Sequence, residues 1–206
     1  MMQTFKTGPS PAQLQAMDRD LQFHPSTTTS PTVLTPDQVD SFNKKGYVKG
    51  VPIFDAGEIA EHRHHFDRLI AKAMANGGTS YSVGSAHLRS GRVYDLMHHP
   101  RIVACAQDVL GQEVVGLASQ FFCKLPHDPI NVSWHQDASH WPLTPSKTVT
   151  IWLAIDDADT ENSCMRFMAG SHLHGHIDYR PSEEAENNLF NQVALDVERY
   201  GECVDV

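Results

Sequence analysis

The chain has 206 residues, 40% hydrophobic and 20% charged, which is enough for one domain with a buried core. Its net charge of −9 argues against a nucleic-acid partner, and no apolar run approaches the ~20 residues of a membrane span. The N-terminus lacks the apolar segment of a signal peptide, and the four cysteines are widely spaced. We therefore expect a cytoplasmic protein with reduced thiols and no membrane partner.

The first predicted elements are an irregular arm and a helix. Residues 1–34 are rich in Pro, Ser and Thr and can bury little apolar surface, so most of this arm is expected to be irregular. The sequence TPDQVDSFNKKGY, residues 35–47, predicts the first helix. Thr35 is the expected N-cap, Pro36 fits the first turn, and Gly46 is expected to end the helix in the left-handed conformation.

Two further helices are predicted before residue 112, and strands are predicted mainly after it. Apolar residues at helical spacing predict a helix from near Asp55 to the NGG sequence at 76–78, and HPRIVACAQDVLG predicts another at 99–111. The β-type segments are YVKGVPIF (47–54), EVVGLASQFFCKL (113–125), TVTIWLAID (148–156) and CMRFMAG (164–170). This order predicts an α+β fold in which helices pack against a β-sandwich or jelly roll.

The candidate chemistry is concentrated in SWHQDASHW, residues 133–141. In an extended strand, residues i and i+2 face the same side, so His135 and Asp137 can reach one metal ion while Gln136 points away. An imidazole and a carboxylate suit ferrous iron in a three-ligand site that leaves other coordination positions open. The pair alone is a weak signal, because a chain with 13 histidines contains such pairs by chance.

Around this pair the sequence resembles the phytanoyl-CoA dioxygenase family of Fe(II)/2-oxoglutarate-dependent oxygenases. The resemblance is carried by LTPDQVDSFNKKGYV (34–48), WHQD (134–137) and PSKTVTIWLAIDDADTENSCMRFMAGSH (145–172). It departs from the family at Ser163, where Gly is usual, and at Ala169, where Pro is usual. The resemblance implies an oxygenase domain at 35–206 after the arm, built as a double-stranded β-helix (jelly roll) with N-terminal helices packed on it.

The resemblance also implies roles for individual residues. His135 and Asp137 match the iron ligands, and Gln120, Trp152 and Arg92 match positions near the co-substrate 2-oxoglutarate. A glutamine can hydrogen-bond a carboxylate, and an indole can form a wall of the co-substrate site. The alternatives for these three are an outward strand residue, a core aromatic residue and a surface arginine, respectively.

Later histidines bear on the completeness of the iron site. GSHLHGH places histidines at 172, 174 and 176, and we expect hydrogen bonding and loop packing from them rather than iron binding. In the family, a distal histidine completes the iron site, and a following arginine pairs with the far carboxylate of 2-oxoglutarate. No histidine occurs after His176. We therefore expect the third iron ligand, this arginine and the C-terminal strands to be missing from the 206 residues, either in a fragment or in a natural short form.

The predicted function is that of a non-haem Fe(II)/2-oxoglutarate-dependent dioxygenase. Such an enzyme hydroxylates a small organic substrate with O₂ while 2-oxoglutarate is decarboxylated to succinate and CO₂. One alternative is a truncated or degenerate, non-catalytic jelly-roll protein without a complete iron site. Another is a cupin-like zinc or iron protein that acts without 2-oxoglutarate. The sequence indicates neither the substrate nor the oligomeric state.

Overall fold

The computed structural model describes residues 9–186 and 188–206. These residues contain five α-helices: α1 Pro11–Ala16, α2 Pro36–Lys45, α3 Ala56–Ala75, α4 Gly91–Met97 and α5 Pro100–Leu110. They also contain four short strands: β1 Arg166–Ala169, β2 Tyr179–Pro181, β3 Gln192–Ala194 and β4 Glu202–Asp205. The predicted order of helices followed by strands is confirmed. Within the described ranges, no helix combines the length and hydropathy needed to cross a membrane.

The three predicted helices are confirmed. The prediction succeeds because local sequence signals determine where each helix begins and ends. In α2, the Thr35 side chain accepts from the Gln38 N–H, and the Gln38 side chain accepts from the Thr35 N–H, so two free donors of the first turn are satisfied. Gly46 follows with φ of 86°, the left-handed conformation that glycine adopts without strain. The sequence does not indicate α1 or α4, which have only six and seven residues.

Of the four β-type segments, only 164–170 contains a strand, β1, and GECVDV (201–206), which the sequence also indicates as the beginning of a strand, contains β4. Strand β1 pairs antiparallel with β4, and β2 pairs antiparallel with β3, giving two separate two-stranded sheets. The segments 47–54, 113–125 and 148–156 form no strands. The described chain therefore shows small sheets and not the layered jelly roll that was predicted. The physical reason is that a strand requires a neighbouring backbone, which a β-type composition does not itself provide.

Two small apolar clusters hold the helical part together. One contains Phe66 of α3 and Val93 of α4. The other joins Val39 of α2 and Val109 of α5 to Leu34, the last residue of the predicted arm. Residues 17–34 of the predicted arm contain no helix or strand, and the end of the arm is packed into the core. Residues 1–8 of the predicted arm lie outside the described residues.

A buried carboxylate fixes the end of the arm. Asp108 of α5 is 3% exposed and accepts hydrogen bonds from the backbone N–H groups of Thr32, Val33 and Leu34, at 2.8 to 2.9 Å. The Thr32 hydroxyl also donates to it, at 3.1 Å. Burying a charge is costly unless hydrogen bonds satisfy it. The arm donors therefore stabilise the buried carboxylate, and the carboxylate in turn satisfies these backbone N–H groups.

Candidate metal centre

His135 and Asp137, called the HxD pair below, lie side by side. His135 Nε2 is 3.4 Å from Asp137 Oδ1, and the two side chains are 21% and 42% exposed. Gln136 between them is extended, with φ of −117° and ψ of 126°, and a 3-10 turn begins at Asp137. Two ligands ~2.1 Å from one ion and at right angles to each other are roughly 3 Å apart. The observed separation therefore fits a shared metal ion, while the ligand roles stay a prediction.

Each member of the pair is fixed from behind through its other polar atom. His135 Nδ1 lies 2.7 Å from the Ser133 carbonyl oxygen, so this nitrogen donates and Nε2 is left to bind a metal. The Thr150 hydroxyl donates to Asp137 Oδ2 at 2.6 Å, which leaves Oδ1 on the side of His135. Such outer contacts are typical of metal-binding histidines and carboxylates.

The electrostatics of the pair favour a charged imidazole and a charged carboxylate in the metal-free protein. Burial lowers the pKa of His135, but the hydrogen bonds to Asp137 and Ser133 and the charge of Asp137 outweigh it, and the pKa is raised. The hydrogen bond to His135 lowers the pKa of Asp137 against the effect of burial, and Thr150 lowers it further. A proton therefore competes with a metal ion for His135 more strongly than it would for a free imidazole, so metal binding is expected to weaken in acid.

Thr150→Val is expected to weaken the binding of a divalent ion by roughly 10- to 100-fold, because it removes the hydroxyl that orients Asp137 while nearly preserving shape. The measurement is a Co(II) titration by calorimetry. Thr148→Val provides the control, since no hydrogen bond joins that side chain to the HxD pair. Equal Co(II) affinities in the two variants would show that Thr150 has no orienting role.

The backbone before His135 is attached to β3. The Ser133 hydroxyl donates to the Gln192 carbonyl at 2.7 Å, and the Ala194 N–H donates to the Trp134 carbonyl at 2.8 Å. These bonds lie immediately before His135 in the sequence. They fix the Ser133 carbonyl, which in turn orients the His135 ring.

Aromatic packing covers one side of the pair. The Phe190 ring centroid lies 4.3 Å from that of His135 and 5.7 Å from that of His140. His140 Nδ1 is 3.1 Å from Gln192 Nε2, whereas His140 Nε2 is buried without a hydrogen-bond partner in the described chain. Burial lowers the pKa of His140, so this ring contributes a neutral wall.

The side chain between the two candidate ligands also has a structural role. Gln136 points away from them, as predicted, and its amide bonds to the backbone of the GSHLHGH region. Gln136 Nε2 donates to the Gly175 carbonyl at 2.9 Å, and the Ile177 N–H donates to Gln136 Oε1 at 2.7 Å. Ser139 Oγ lies 2.9 Å from His176 Nε2 and adds a second connection. Residues 136–139 are thus joined to residues 175–177, a link that no sequence pattern indicated.

The other two histidines of GSHLHGH also pack rather than gather around the HxD pair. His172 Nε2 donates to the Asn43 carbonyl near the end of α2, at 3.0 Å. A Cβ atom on Gly46 would lie 2.7 Å from His172 Nδ1. The His172 ring can therefore pack this close to the backbone only because residue 46 is glycine. The His174 ring lies edge-on to Tyr200, 5.3 Å away. These contacts agree with the predicted roles in hydrogen bonding and loop packing.

The three predicted co-substrate residues lie in different settings. The Gln120 amide donates to the carbonyls of Tyr81 and Phe121, both at 3.0 Å. Arg92 forms an exposed ion pair with Glu61 of α3, at 2.5 Å, and Trp152 is 42% exposed. No hydrogen bond or ion pair in the described chain joins any of the three to the HxD pair. Their roles in binding 2-oxoglutarate stay predictions.

Two protein donors are brought together in this site. Among residues 9–186 and 188–206, no three His, Cys, Asp or Glu side chains are arranged to hold a metal ion. The HxD pair supplies the two donors that the sequence predicted, and the three-ligand iron site itself stays a prediction. The expectation that the third ligand is missing from the sequence stays a prediction.

Comparison with known proteins identifies the family. The family model described as phytanoyl-CoA dioxygenase (PhyH) matches residues 42–202, which is most of the chain. The chain belongs to this family. The matched range includes the HxD pair, Ser133 and Thr150, which orient it, and residues 175–177, which hold Gln136. No solved structure matches the chain.

Curated relatives cover parts of the same range. Phytanoyl-CoA dioxygenase domain-containing protein 1 of Rattus norvegicus is 35% identical over 122 residues, which cover 52% of this chain and 41% of the relative. The Mus musculus protein of the same name is 35% identical over 81 residues, covering 39% and 28%. Ectoine dioxygenase of Nocardia farcinica is 26% identical over 188 residues, covering 77% and 63%. The chain thus spans less than two thirds of each of these relatives.

Proposed function

We propose that the chain carries the iron-binding part of a non-haem Fe(II)/2-oxoglutarate-dependent dioxygenase that hydroxylates a small organic substrate. The HxD pair is the observation that carries this proposal. Its two inward atoms are 3.4 Å apart, while its two outer atoms are held by Ser133 and Thr150. Membership of the phytanoyl-CoA dioxygenase family supports iron and 2-oxoglutarate as the cofactor and co-substrate.

In the proposed site, His135 Nε2 and Asp137 Oδ1 hold the ferrous ion. The ion, when bound, supplies the activation of O₂ that is coupled to decarboxylation of 2-oxoglutarate to succinate and CO₂. The protein contributes orientation and shielding. Ser133 sets the ring plane of His135, Thr150 sets the carboxylate plane of Asp137, and Phe190 packs against one side of the imidazole.

Binding of 2-oxoglutarate is proposed for Gln120, Trp152 and Arg92. Trp152 is two residues after Thr150, on the segment that contacts Asp137. Arg92 must leave Glu61 to bind a carboxylate, and an exposed ion pair of this kind is worth only about 0–1 kcal/mol. A guanidinium group can then bind the carboxylate through two parallel hydrogen bonds. The existing ion pair is therefore no obstacle to this role.

We further propose that residues 35–206 belong to a jelly-roll oxygenase domain that follows the arm. Two antiparallel strand pairs are present, and the β-type segments 113–125 and 148–156 expose apolar side chains. Val115 is 92% exposed, and Trp152 is among the other exposed apolar residues. Exposed apolar surface of this kind is suited to contact with further strands.

The proposal is tested by anaerobic titration of the 206-residue protein with Fe(II) and 2-oxoglutarate. A weak metal-to-ligand charge-transfer band is expected when both are bound together. Failure to observe it with well-folded protein would contradict catalysis by this chain.

The alternative of a non-catalytic jelly-roll protein is favoured by one observation, namely that no three-donor group is found in the described residues. That alternative expects no band at any concentration.

A further inference from the structure

We infer that Arg19, in the N-terminal arm, is a positioning residue of the iron site. One nitrogen of its guanidinium group, Nη1, donates to the Ala138 carbonyl at 3.0 Å and to the Trp141 carbonyl at 2.8 Å. These carbonyls belong to the turn that begins at Asp137, called the ligand turn below (residues 137–141). The inference deepens the proposed function and rests on it, because Asp137 is the proposed iron ligand.

The two bonds satisfy groups that the ligand turn leaves without good partners. A short 3-10 helix has free carbonyl groups at its end, and arginine side chains near helix C-termini satisfy and stabilise such groups. Within the turn, the Trp141 N–H reaches the Ala138 carbonyl only at 3.4 Å, so the bond from Arg19 is the shorter one. A single cationic group thus binds the second and the last residue of this five-residue segment.

The arm follows a defined path along the site on the C-terminal side of Arg19. The Asp20 N–H donates to the Thr144 hydroxyl at 3.0 Å, and the Ser146 N–H donates to the Asp20 carbonyl at 2.8 Å. Further along, the Phe23 ring lies edge-on to His172 at 4.4 Å. Arm residues 19–23 therefore contact the chain after the ligand turn as well as the GSHLHGH region. Arg19 is held in place by its neighbours and is not an isolated surface contact.

The effect on iron should pass mainly through Asp137. The preceding residue, Gln136, is held by the GSHLHGH backbone, and His135 is held by Ser133. Beyond Asp137, Arg19 and the Ser139–His176 contact restrain the turn. Metal ligands must be kept within about 0.5 Å of the productive geometry. Loss of Arg19 removes one hydrogen bond from each of two carbonyls of the turn. It thereby loosens the backbone next to Asp137, whose carboxylate is then oriented by Thr150 alone, without changing any atom of the HxD pair.

The test compares Co(II) affinity in Arg19→Ala, Arg19→Lys and Arg101→Ala at 25 °C, each checked for folding by circular dichroism. Arg101 is the matched control, because it also donates to two backbone carbonyls, those of Pro52 and Ile53, away from the HxD pair. Arg19→Ala is expected to bind Co(II) about 10-fold or more weakly than wild type. Arg19→Lys should recover part of this loss, and Arg101→Ala should keep wild-type affinity even if its melting temperature falls.

Hydrogen exchange of the metal-free protein gives a readout that does not depend on a metal. Amides of the ligand turn should exchange faster in Arg19→Ala than in wild type or Arg101→Ala. Wild-type Co(II) affinity and wild-type exchange in Arg19→Ala would overturn this inference alone. An equal loss of affinity in Arg19→Ala and Arg101→Ala would also overturn it, as a general effect of stability. No Co(II) binding by wild type would overturn the proposed function and this inference with it.

Discussion

Replacement of His135 or Asp137 by alanine is expected to lower Fe(II) affinity by more than about 100-fold. Each change removes one of the two protein donors. Even the loss of a residue that only contacts a metal ligand lowers metal affinity about 10- to 100-fold. The fold should change little, since both side chains are partly exposed and lie where a 3-10 turn begins. The measurement is anaerobic Fe(II) titration with iron stoichiometry, accompanied by thermal melting of each variant.

His174→Ala is the matched control for this prediction. His174 is an exposed histidine that packs against Tyr200, and its loss should leave iron stoichiometry unchanged. Wild-type stoichiometry in both His135→Ala and Asp137→Ala would refute the assignment of the HxD pair. Wild-type affinity itself should decline as the pH falls through the raised pKa of His135, because the proton competes for the imidazole.

Asp108→Ala is expected to destabilise the protein by at least about 1–3 kcal/mol, the typical cost of leaving a buried donor without its acceptor. The carboxylate is 3% exposed and accepts from three backbone N–H groups of the arm, which the variant leaves without their acceptor. Urea unfolding monitored by circular dichroism gives the free energy of unfolding. Asp40→Ala removes only an exposed ion pair with Lys44 and should cost no more than about 1 kcal/mol.

The contribution of Asp108 to the free energy of unfolding should also depend on pH, and it should decrease in acid. Burial raises its pKa, but hydrogen bonds from Leu34, Thr32 and Val33 outweigh burial, so the folded-state pKa is lowered. An unfolded aspartate has a pKa of about 3.9. The stabilisation is therefore complete above that value and is lost as the pH falls through the lowered folded pKa. The stability gap between wild type and Asp108→Asn should shrink in acid; a gap unchanged down to the acid transition would contradict this account.

The sequence predicted helices better than strands for a physical reason. A helix is determined by signals within a few residues, such as Thr35 at the start of α2 and Gly46 at its end. A strand depends on a partner distant in sequence, and β1 pairs with β4 more than thirty residues later. The β-type composition of 113–125 therefore predicted a strand that the described chain does not form.

The candidate site also has a local part, which the sequence predicts, and distant contacts, which it does not. The spacing of His135 and Asp137 is local, and the extended Gln136 brings their side chains together as the sequence suggested. The contacts that hold the pair are not local. Thr150 is thirteen residues from Asp137, and Arg19 is 119 residues from Ala138. Arg19 belongs to no recognisable motif. Thr150 lies in the family-like segment 145–172, but the resemblance assigns it no role, so neither residue could be assigned to the site before the structure.

The path of the arm bears on where the protein can be shortened. Composition suggests residue 34 as a natural boundary, and by composition alone a version starting at residue 35 discards only irregular chain. Such a version would lose Leu34 from the core and the backbone donors that satisfy Asp108. It would also lose Arg19, and with it the restraint on the ligand turn. A shortened protein that precipitates or fails to take up metal would therefore reflect the position of the cut, and the first 34 residues should be retained in any functional assay.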